Sequence, residues 1–457
     1  MAKIGAHAVV LGASMGGLSA ARVLADFYDK VTVVERDVLP LTPDNRRGVP
    51  QGRHGHALLG RGLAALGEFF PNFTKDLDDA GVPAIDYRDL SQGYLSFGGH
   101  LLPRSGGYTT VPAAYIPSRP LLEGLVRQRL RAIGNVALLD GYDVISLVPS
   151  EDGGRVTGAT IRAHDGGAAH FLAADLVVDA TGRSARTPAF LEALGYGRPR
   201  EDCVKVRVTY ASQLFRLPPG SMREKIVLVS PVPGRTTGMA LLGYENDTWM
   251  LTAFGIAGEQ PPCELADILT FVGALAPPQV AEALRDGEPI GEVCRFRYPE
   301  SRWRRYDKLR RFPDGLLVLG DAICSFNPTY GQGMTVAALQ AQALADCLAN
   351  GTTRLARRFF RAAAEPIGVA WQFAVGGDLA LPEVEGHRSL AVKLTNNYVE
   401  RLQTAAETDL EVAEQFTRVI GFLDPPSRLM RPKMLKAAAR RRRPSTIPQE
   451  RGALAPS

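Results

Sequence analysis

The segment from Ala8 to Glu35 constrains the fold more than any other. It runs through a short apolar stretch, the turn Gly12-Ala13-Ser14-Met15-Gly16-Gly17, an apolar-periodic stretch (Leu18, Ala21, Val23, Leu24, Phe27) and a second apolar run, Val31 to Val34. That order predicts a β-α-β unit and places the chain in the α/β class. In such a turn the backbone N–H groups and the helix N-terminus face a pyrophosphate, and an acid about 20 residues on accepts hydrogen bonds from a ribose. Glu35 stands at that position. An acid there favours a free 2′-hydroxyl, hence FAD or NAD over NADP. Ser14 takes the place of the middle glycine of G-x-G-x-x-G, where a Cβ crowds the phosphates, and Gly16 gives freedom beside it.

A second motif selects between the two dinucleotides. A strand-like run, Gly315 to Gly320, delivers Asp321, and Pro328-Thr-Tyr-Gly331-Gln332-Gly333-Met334 then opens a long helical stretch. An acid at a strand end holds a polyol hydroxyl, and an uncapped helix start offers N–H groups and a positive dipole end to an electron-rich carbonyl edge. A flavin supplies both, through its ribityl chain and its ring edge.

The chain has 457 residues, enough at about 100–200 per domain for two or three domains. Apolar residues make up 45% and charged residues 22%, and no apolar run approaches the roughly 18 needed to span a bilayer. Five widely spaced cysteines without a C-x-x-C pair suggest neither a disulfide framework nor a zinc site. With an N-terminus that runs directly into a strand, they lead to a cytoplasmic expectation. The formal charge is +5, but residues 428–457 carry nine Lys/Arg and one acid. The rest is slightly acidic, which gives no electrostatic case for nucleic acid.

Beyond the first unit, Ser118 is placed to cap a helix with apolar positions Leu121, Leu122, Leu125, Val126, Leu130 and Ile133. Strand-like runs follow at Val136 to Leu139, Arg155 to Arg162 and Asp175 to Val178. Between Val204 and Phe296, alternating or β-branched runs separated by Pro/Gly turns read as a β-rich insertion. From Met334 the sequence is almost entirely helical.

Three ordered motifs carry a resemblance: Gly12 to Gly17 with Glu35-Arg36, then Asp175-Leu-Val-Val-Asp179-Ala-Thr-Gly182-Arg183, then Gly320-Asp321-Ala322 through Pro328 to Met334. Together they resemble the FAD-dependent monooxygenases of the p-hydroxybenzoate hydroxylase fold, over most of the chain. Gly48-Val-Pro-Gln-Gly-Arg-His-Gly-His56, Ser118-Arg-Pro-Leu-Leu122 and Phe326 to Met334 look like the bacterial branch that contains epoxidases of polyether-antibiotic assembly.

The resemblance implies a Rossmann-like FAD domain of the glutathione-reductase type, an inserted β-rich substrate domain and a helical C-terminal region. The corresponding boundaries are 1–59, 116–185 and 300–350 for the FAD domain, 60–115 and 186–299 for the substrate domain, 351–440 for the C-terminal helices, and 441–457 for a flexible basic tail. It also implies one non-covalent FAD, reduction by NADH or NADPH, and O₂ activation as a flavin C4a-hydroperoxide that transfers one oxygen atom.

Carried over by position, Gly12, Ser14, Met15, Gly16 and Gly17 meet the pyrophosphate, Glu35 the ribose and Arg36 the adenine end. Arg119 lies on the phosphate or ribityl side, Val144 near the adenine, Gly182 in the middle motif and Asp321 on the ribityl. Pro328, Gly331, Gln332, Gly333 and Met334 flank the ring. The middle motif reads Asp179-Ala-Thr-Gly182 where the hydroxylases carry Asp-Gly. No second Gly-rich β-α-β unit appears, so a nicotinamide visits transiently, and the Trp-x-Trp-x-Ile-Pro segment of tryptophan-type flavin halogenases is missing.

The oxidant belongs to the flavin, so no catalytic side chain is assigned. Strand alternation puts Val206, Val208 and Tyr210 on one face and Met250, Thr252 and Phe254 on one face of another strand, which lines either the core or a substrate pocket; Tyr210, Thr252 and Phe254 are the pocket candidates. His54 and His56 form an H-x-H without a metal-site partner, and no metal is expected. Cys324 reads as a buried structural thiol. With no dedicated base in view, the expected reaction is epoxidation or hydroxylation of an apolar secondary metabolite. A flavin-dependent reductase of isoprenoid double bonds and a non-catalytic FAD or intermediate-binding protein are the alternatives. Pro432 to Arg443, where Met434, Leu435 and Ala438 oppose Lys436 and the arginine run, allows weak membrane-surface association but no insertion. Oligomeric state is left open.

Overall fold

The fold is built around a five-stranded parallel sheet, seen in a computed structural model that describes residues 3–440. Strand Gly5–Leu11 lies at its centre, between Tyr28–Glu35 and Leu176–Asp179, with Val136–Asp140 and Leu316–Val318 at the edges. Both faces of this sheet are covered, so its central strands are continuous apolar runs: Ala8, Val9, Val10, Val31 and Val177 are fully buried. Helices Met15–Phe27 and Gly333–Ala349 pack together on one face, and Leu355–Asp378 packs on the latter. Ser118 caps the Arg119–Arg131 helix by accepting from the Leu121 N–H at 3.3 Å. A three-stranded antiparallel sheet, Tyr142–Pro149, Val156–Ala163 and His170–Ala173, projects from this domain and carries Val144.

The second layer is a seven-stranded sheet in the order Glu288–Tyr298, Val208–Arg216, Thr248–Gly255, Thr237–Gly243, Ile226–Val229, Gly93–Phe97 and His100–Leu101. One face buries Ala211, Phe215, Leu241 and Leu251 against helices Leu265–Gly273 and Pro278–Arg285. Alternation turns Tyr210, Thr252 and Phe254 to the opposite face, toward the parallel-sheet domain.

Residues 60–79 depart from the expected division. They form helices Gly60–Phe69 and Phe73–Asp79, which bury Leu63, Leu66, Phe69, Phe73 and Leu77 in the core of the parallel-sheet domain. Their apolar residues recur every three or four positions, which suits a helix lying on that core rather than a strand of the β layer. From the 60–115 segment, only Gly93–Phe97 and His100–Leu101 join the larger sheet.

The C-terminal helices Leu390–Ala406, Leu410–Ile420 and Pro432–Ala439 form their own core with Leu90, Leu102 and Tyr108. Met434 and Ala438, expected on a face free for a membrane surface, are buried in that core, and Leu435 remains 42% exposed. The apolar side of this helix is therefore already occupied by protein. The basic run at 441–443 and the tail 441–457 lie outside the described residues. Among the described residues no helix is long and apolar enough to cross a membrane.

Candidate functional site

The first parallel strand ends at Gly12, whose φ of +98° suits a residue without a side chain. The helix behind it starts after Ser14 with no side-chain cap, so its first N–H groups have no intrahelical partner. Gly12, Ser14, Met15 and Gly16 line one end of a cavity of about 2000 Å³. Gly17 does not line it. A Cβ there would overlap the Gly12 carbonyl oxygen, so Gly17 acts by letting the helix close on the turn.

A buried ionic cluster fixes this turn. Glu35 accepts from the Ala13 N–H at 2.7 Å and from the Asp37 N–H at 3.0 Å. Arg46 lies 3.2 Å from Glu35, 3.1 Å from Asp37 and 2.7 Å from Glu123, and donates to the Ala13 carbonyl at 3.0 Å. Burial works against the Arg46 charge, but Glu123 and Glu35 outweigh it and raise its pKa. Arg119 bridges Glu123, at 3.1 Å, and the Ser14 hydroxyl, at 2.7 Å. Sequence reasoning found Glu35 and Arg119 but not Arg46, Asp37 and Glu123. The Gly/Pro/Arg-rich loop around Arg46 was the available signal.

Farther along the cavity, Asp321 and the start of the Gly333–Ala349 helix form a second polar end. Pro328, Gly331, Gln332, Gly333 and Met334 all line the cavity, as do Arg36, Val144 and Gly182, the last on the turn that packs against Gly320–Ala322. This helix also starts without a side-chain cap. Burial raises the Asp321 pKa, while Arg119 and Arg183 pull it down. The Arg183 guanidinium sits 4.2 Å from the centre of the Tyr298 ring. Asp179, by contrast, is tied to its own turn: it accepts from the Thr181 N–H at 2.9 Å and from the Thr181 and Thr187 hydroxyls.

These features fit an FAD. Two uncapped helix starts flank one cavity, and the buried Gln332 Oε1 has no hydrogen-bond partner. The volume exceeds the roughly 300–1,000 Å³ of a pocket for one drug-sized ligand, so a dinucleotide and a second molecule fit together.

Tyr210, Thr252 and Phe254 line the far end of the same cavity. His54 lies 5.7 Å from the rings of both Tyr210 and Phe296. Its Nδ1 is 2.9 Å from the Ser212 hydroxyl, which is 2.7 Å from Thr252 Oγ1, and Thr252 accepts from the Gly55 N–H at 2.9 Å. Burial, with Arg53, pushes His54 down to about 4, and burial, with Arg119, pushes His56 down to about 3. Both rings are neutral at physiological pH; the His54 ring ties the loop to the β layer through Ser212, while the His56 ring bonds the His54 carbonyl and its backbone N–H donates to the Tyr244 hydroxyl. No group of metal-binding side chains occurs among the described residues. Cys324 is buried, and burial raises its thiol pKa.

The C-terminal helices supply a wall that sequence reasoning missed: Phe373, Gly376, Gly377, Asn396 and Tyr398 all line the cavity. Next to them Asp378 is fully buried and accepts from Asn327 at 2.7 Å and Tyr330 at 3.1 Å. An Asp in a helical run carries no sequence mark of its burial.

No family model matches the chain. Over 432 residues it is 40% identical to the protein Rv3254 of Mycobacterium tuberculosis (strain ATCC 25618 / H37Rv), covering 92% of this chain and 90% of that protein. Among solved structures, it is similar to a flavoprotein/dehydrogenase from Cytophaga hutchinsonii at a TM-score of 0.65 and 15% identity, covering 94% and 96% of the two chains. It is similar to p-nitrophenol 4-monooxygenase PnpA of Pseudomonas putida DLL-E4 at 0.63 and 17%, covering 91% and 97%. A triple mutant of the flavin-dependent brominase Bmp2 aligns at 0.64 and 15%, covering 93% and 96%. At such identities the likeness shows the fold, that of the FAD-binding flavoprotein monooxygenases and halogenases.

Proposed function

The chain belongs to one family with the Mycobacterium tuberculosis protein Rv3254, and from that premise we propose that it is an FAD-dependent monooxygenase acting on a predominantly apolar small molecule. The observation that carries this reading is the continuity of the cavity. One space runs from Ser14 and Glu35, past Asp321 and Gly331 to Met334, to Tyr210 and Phe254. When bound, FAD would supply the redox chemistry, with NADH or NADPH as reductant and O₂ as the source of the oxygen atom.

The protein's part is to bind, orient and exclude water. The N–H groups at Ser14 to Gly16, with Arg119, hold the pyrophosphate. Glu35 takes the ribose with the lone pairs left by its two backbone bonds. Arg36 and Val144 border the adenine end, Asp321 takes the ribityl hydroxyls, and the helix start at Gly333 and Met334 stabilises negative charge on the ring. Tyr210, Phe254 and Phe296 give the substrate end an apolar, water-poor surface.

The family resemblance to epoxidases supports epoxidation or hydroxylation of a secondary metabolite as the finer reading. The test is NAD(P)H and O₂ consumption by FAD-loaded protein across phenols, quinones and polyenes. Consumption that depends on substrate and yields oxygenated product is expected. Saturated product without O₂ uptake would replace this reading with double-bond reduction, and ligand binding without flavin reduction would replace it with a sheltering role.

A further inference from the structure

The seven-stranded sheet gives the cavity a floor that changes character across its width. Cross-strand register sets Leu95, Leu228, Ala240, Thr252, Ser212 and Cys294 in one row. The next row on the same face holds Phe254, Tyr210 and Phe296, in register with Gly238. Tyr210 stacks on Phe296 and meets Phe254 edge-on, so the side toward Glu288–Tyr298 is aromatic. The other side, on strands Thr237–Gly243, Ile226–Val229 and Gly93–Phe97, is aliphatic: Leu95, Ile226, Leu228, Ala240 and Leu242 line the cavity there.

This aliphatic side faces space rather than protein. Along Ile226–Val229, Val227 and Val229 are buried in the core on the other face of the sheet, whereas Ile226 and Leu228 between and beside them are only partly buried. Leu95 and Ala240 are partly buried as well. Helix Leu410–Ile420 borders the lobe, with Phe416 and Ile420 lining the same cavity and Phe416 edge-on to Phe97.

The aromatic and aliphatic lobes meet over Ala240. Next to it across the strands, Thr252 is covered by the loop, whose Gly55 N–H it accepts, and Ser212 by the His54 ring. Two residues along its own strand, Gly238 lies under the Phe254 ring, where a Cβ would come within 2.6 Å of the ring tip. Between these obstacles the floor drops to a single methyl group.

We propose that the lobe over Leu95, Ile226 and Leu228 is a hydrocarbon-chain subsite, and that the substrate joins a head seated against Tyr210, Phe254 and Phe296 to an unbranched alkyl tail that passes over Ala240. The strands of Tyr210 and Leu95 stand four strand spacings apart in the sheet, about 19 Å. At the roughly 1.2 Å that an extended chain advances per bond, this span takes a tail of about 12 carbons or more. A flexible chain suits a crossing no wider than one side chain, and it is held by burial of apolar surface without any polar partner. The head goes to the aromatic side because that side adjoins Tyr298, whose ring carries the Arg183 guanidinium near Asp321. This inference rests on the monooxygenase reading for making the head the reacting end.

Equilibrium dialysis of alkyl phenyl ketones against the FAD-loaded protein, with the absorbance of the oxidised flavin as a second readout, tests the subsite without turnover. Chains of about 4, 8, 12 and 16 carbons are compared; in wild type, affinity is expected to rise about threefold per added methylene and to level off beyond about 12 carbons. Ala240→Phe should end the rise at the shortest chains. Leu228→Trp, one strand farther out, should end it at an intermediate length. Flavin content reports the folding of each variant, and the wild-type series stands without them. Affinity that is flat with chain length in wild type, or a wild-type series retained in both folded variants, overturns the proposal. So does a long-chain lipid that purifies with the protein and stays bound when the ketones bind, because the lobe is then filled by a structural lipid. O₂ consumption with equal KM for short and long compounds would overturn the subsite and leave the monooxygenase reading. Chain-dependent binding in a protein that consumes no O₂ with any compound would do the reverse.

Discussion

Single residues hold the sharpest consequences. For Asp378 the folded pKa lies above the unfolded one, so the native state binds the extra proton. Stability is then highest at low pH and is lost as the pH rises from the ordinary Asp range through about 7. Asp378→Asn removes the charge, so denaturant unfolding across this range should show wild type losing up to roughly 4 kcal/mol relative to the variant. A constant difference across the range would contradict the burial argument. At Gly17 the obstacle is backbone rather than a movable side chain. Gly17→Ala should lower stability and strip the protein of flavin together, measured by thermal unfolding and by flavin absorbance after gel filtration.

Among the elements, those with a strong period and chemical punctuation were legible from sequence. The Gly12 turn, the Ser118 cap and the run into Asp321 each combine a local pattern with a residue type that has one use there. Helices 60–69 and 73–79 were not legible as part of the first core, because their apolar period tells of burial but not of which layer receives it. The same holds for Met434 and Ala438, whose amphipathic spacing suits a membrane and a neighbouring helix equally. The Arg46 cluster was hidden for another reason: its partners come from three separate segments. Arg46→Ala would leave Glu35 and Asp37 without their cation, while Glu123 keeps Arg119 and Arg127. It should cost about 3–5 kcal/mol by denaturant unfolding and weaken FAD binding through the loosened Ala13 carbonyl. Met434→Ala should cost about 2–5 kcal/mol, as for a buried side chain, whereas a membrane-facing role would leave stability unchanged.

For the whole molecule, the positive charge count belongs to residues 428–457, and the body that holds the cavity is slightly acidic. Its arginines near the cavity have local work: Arg46 and Arg119 neutralise buried acids beside the Gly12 turn. Of the candidate site, the part lined by Gly12 to Gly16, Glu35 and Asp321 was readable in sequence as one grouping, because phosphate and ribose demand particular residues at particular spacings. The substrate end was readable only as strand alternation. Its wall at Gly376, Gly377 and Asn396 comes from helices packed across the cavity, and no local pattern encodes that meeting. The two ends share one cavity, and this is the basis for the proposal of oxygen transfer. The most direct test is mass spectrometry of product formed by FAD-loaded protein with NAD(P)H under ¹⁸O₂ and under anaerobic conditions. One ¹⁸O atom per product molecule, and no product without oxygen, is predicted; product that forms anaerobically or carries no label would contradict the account.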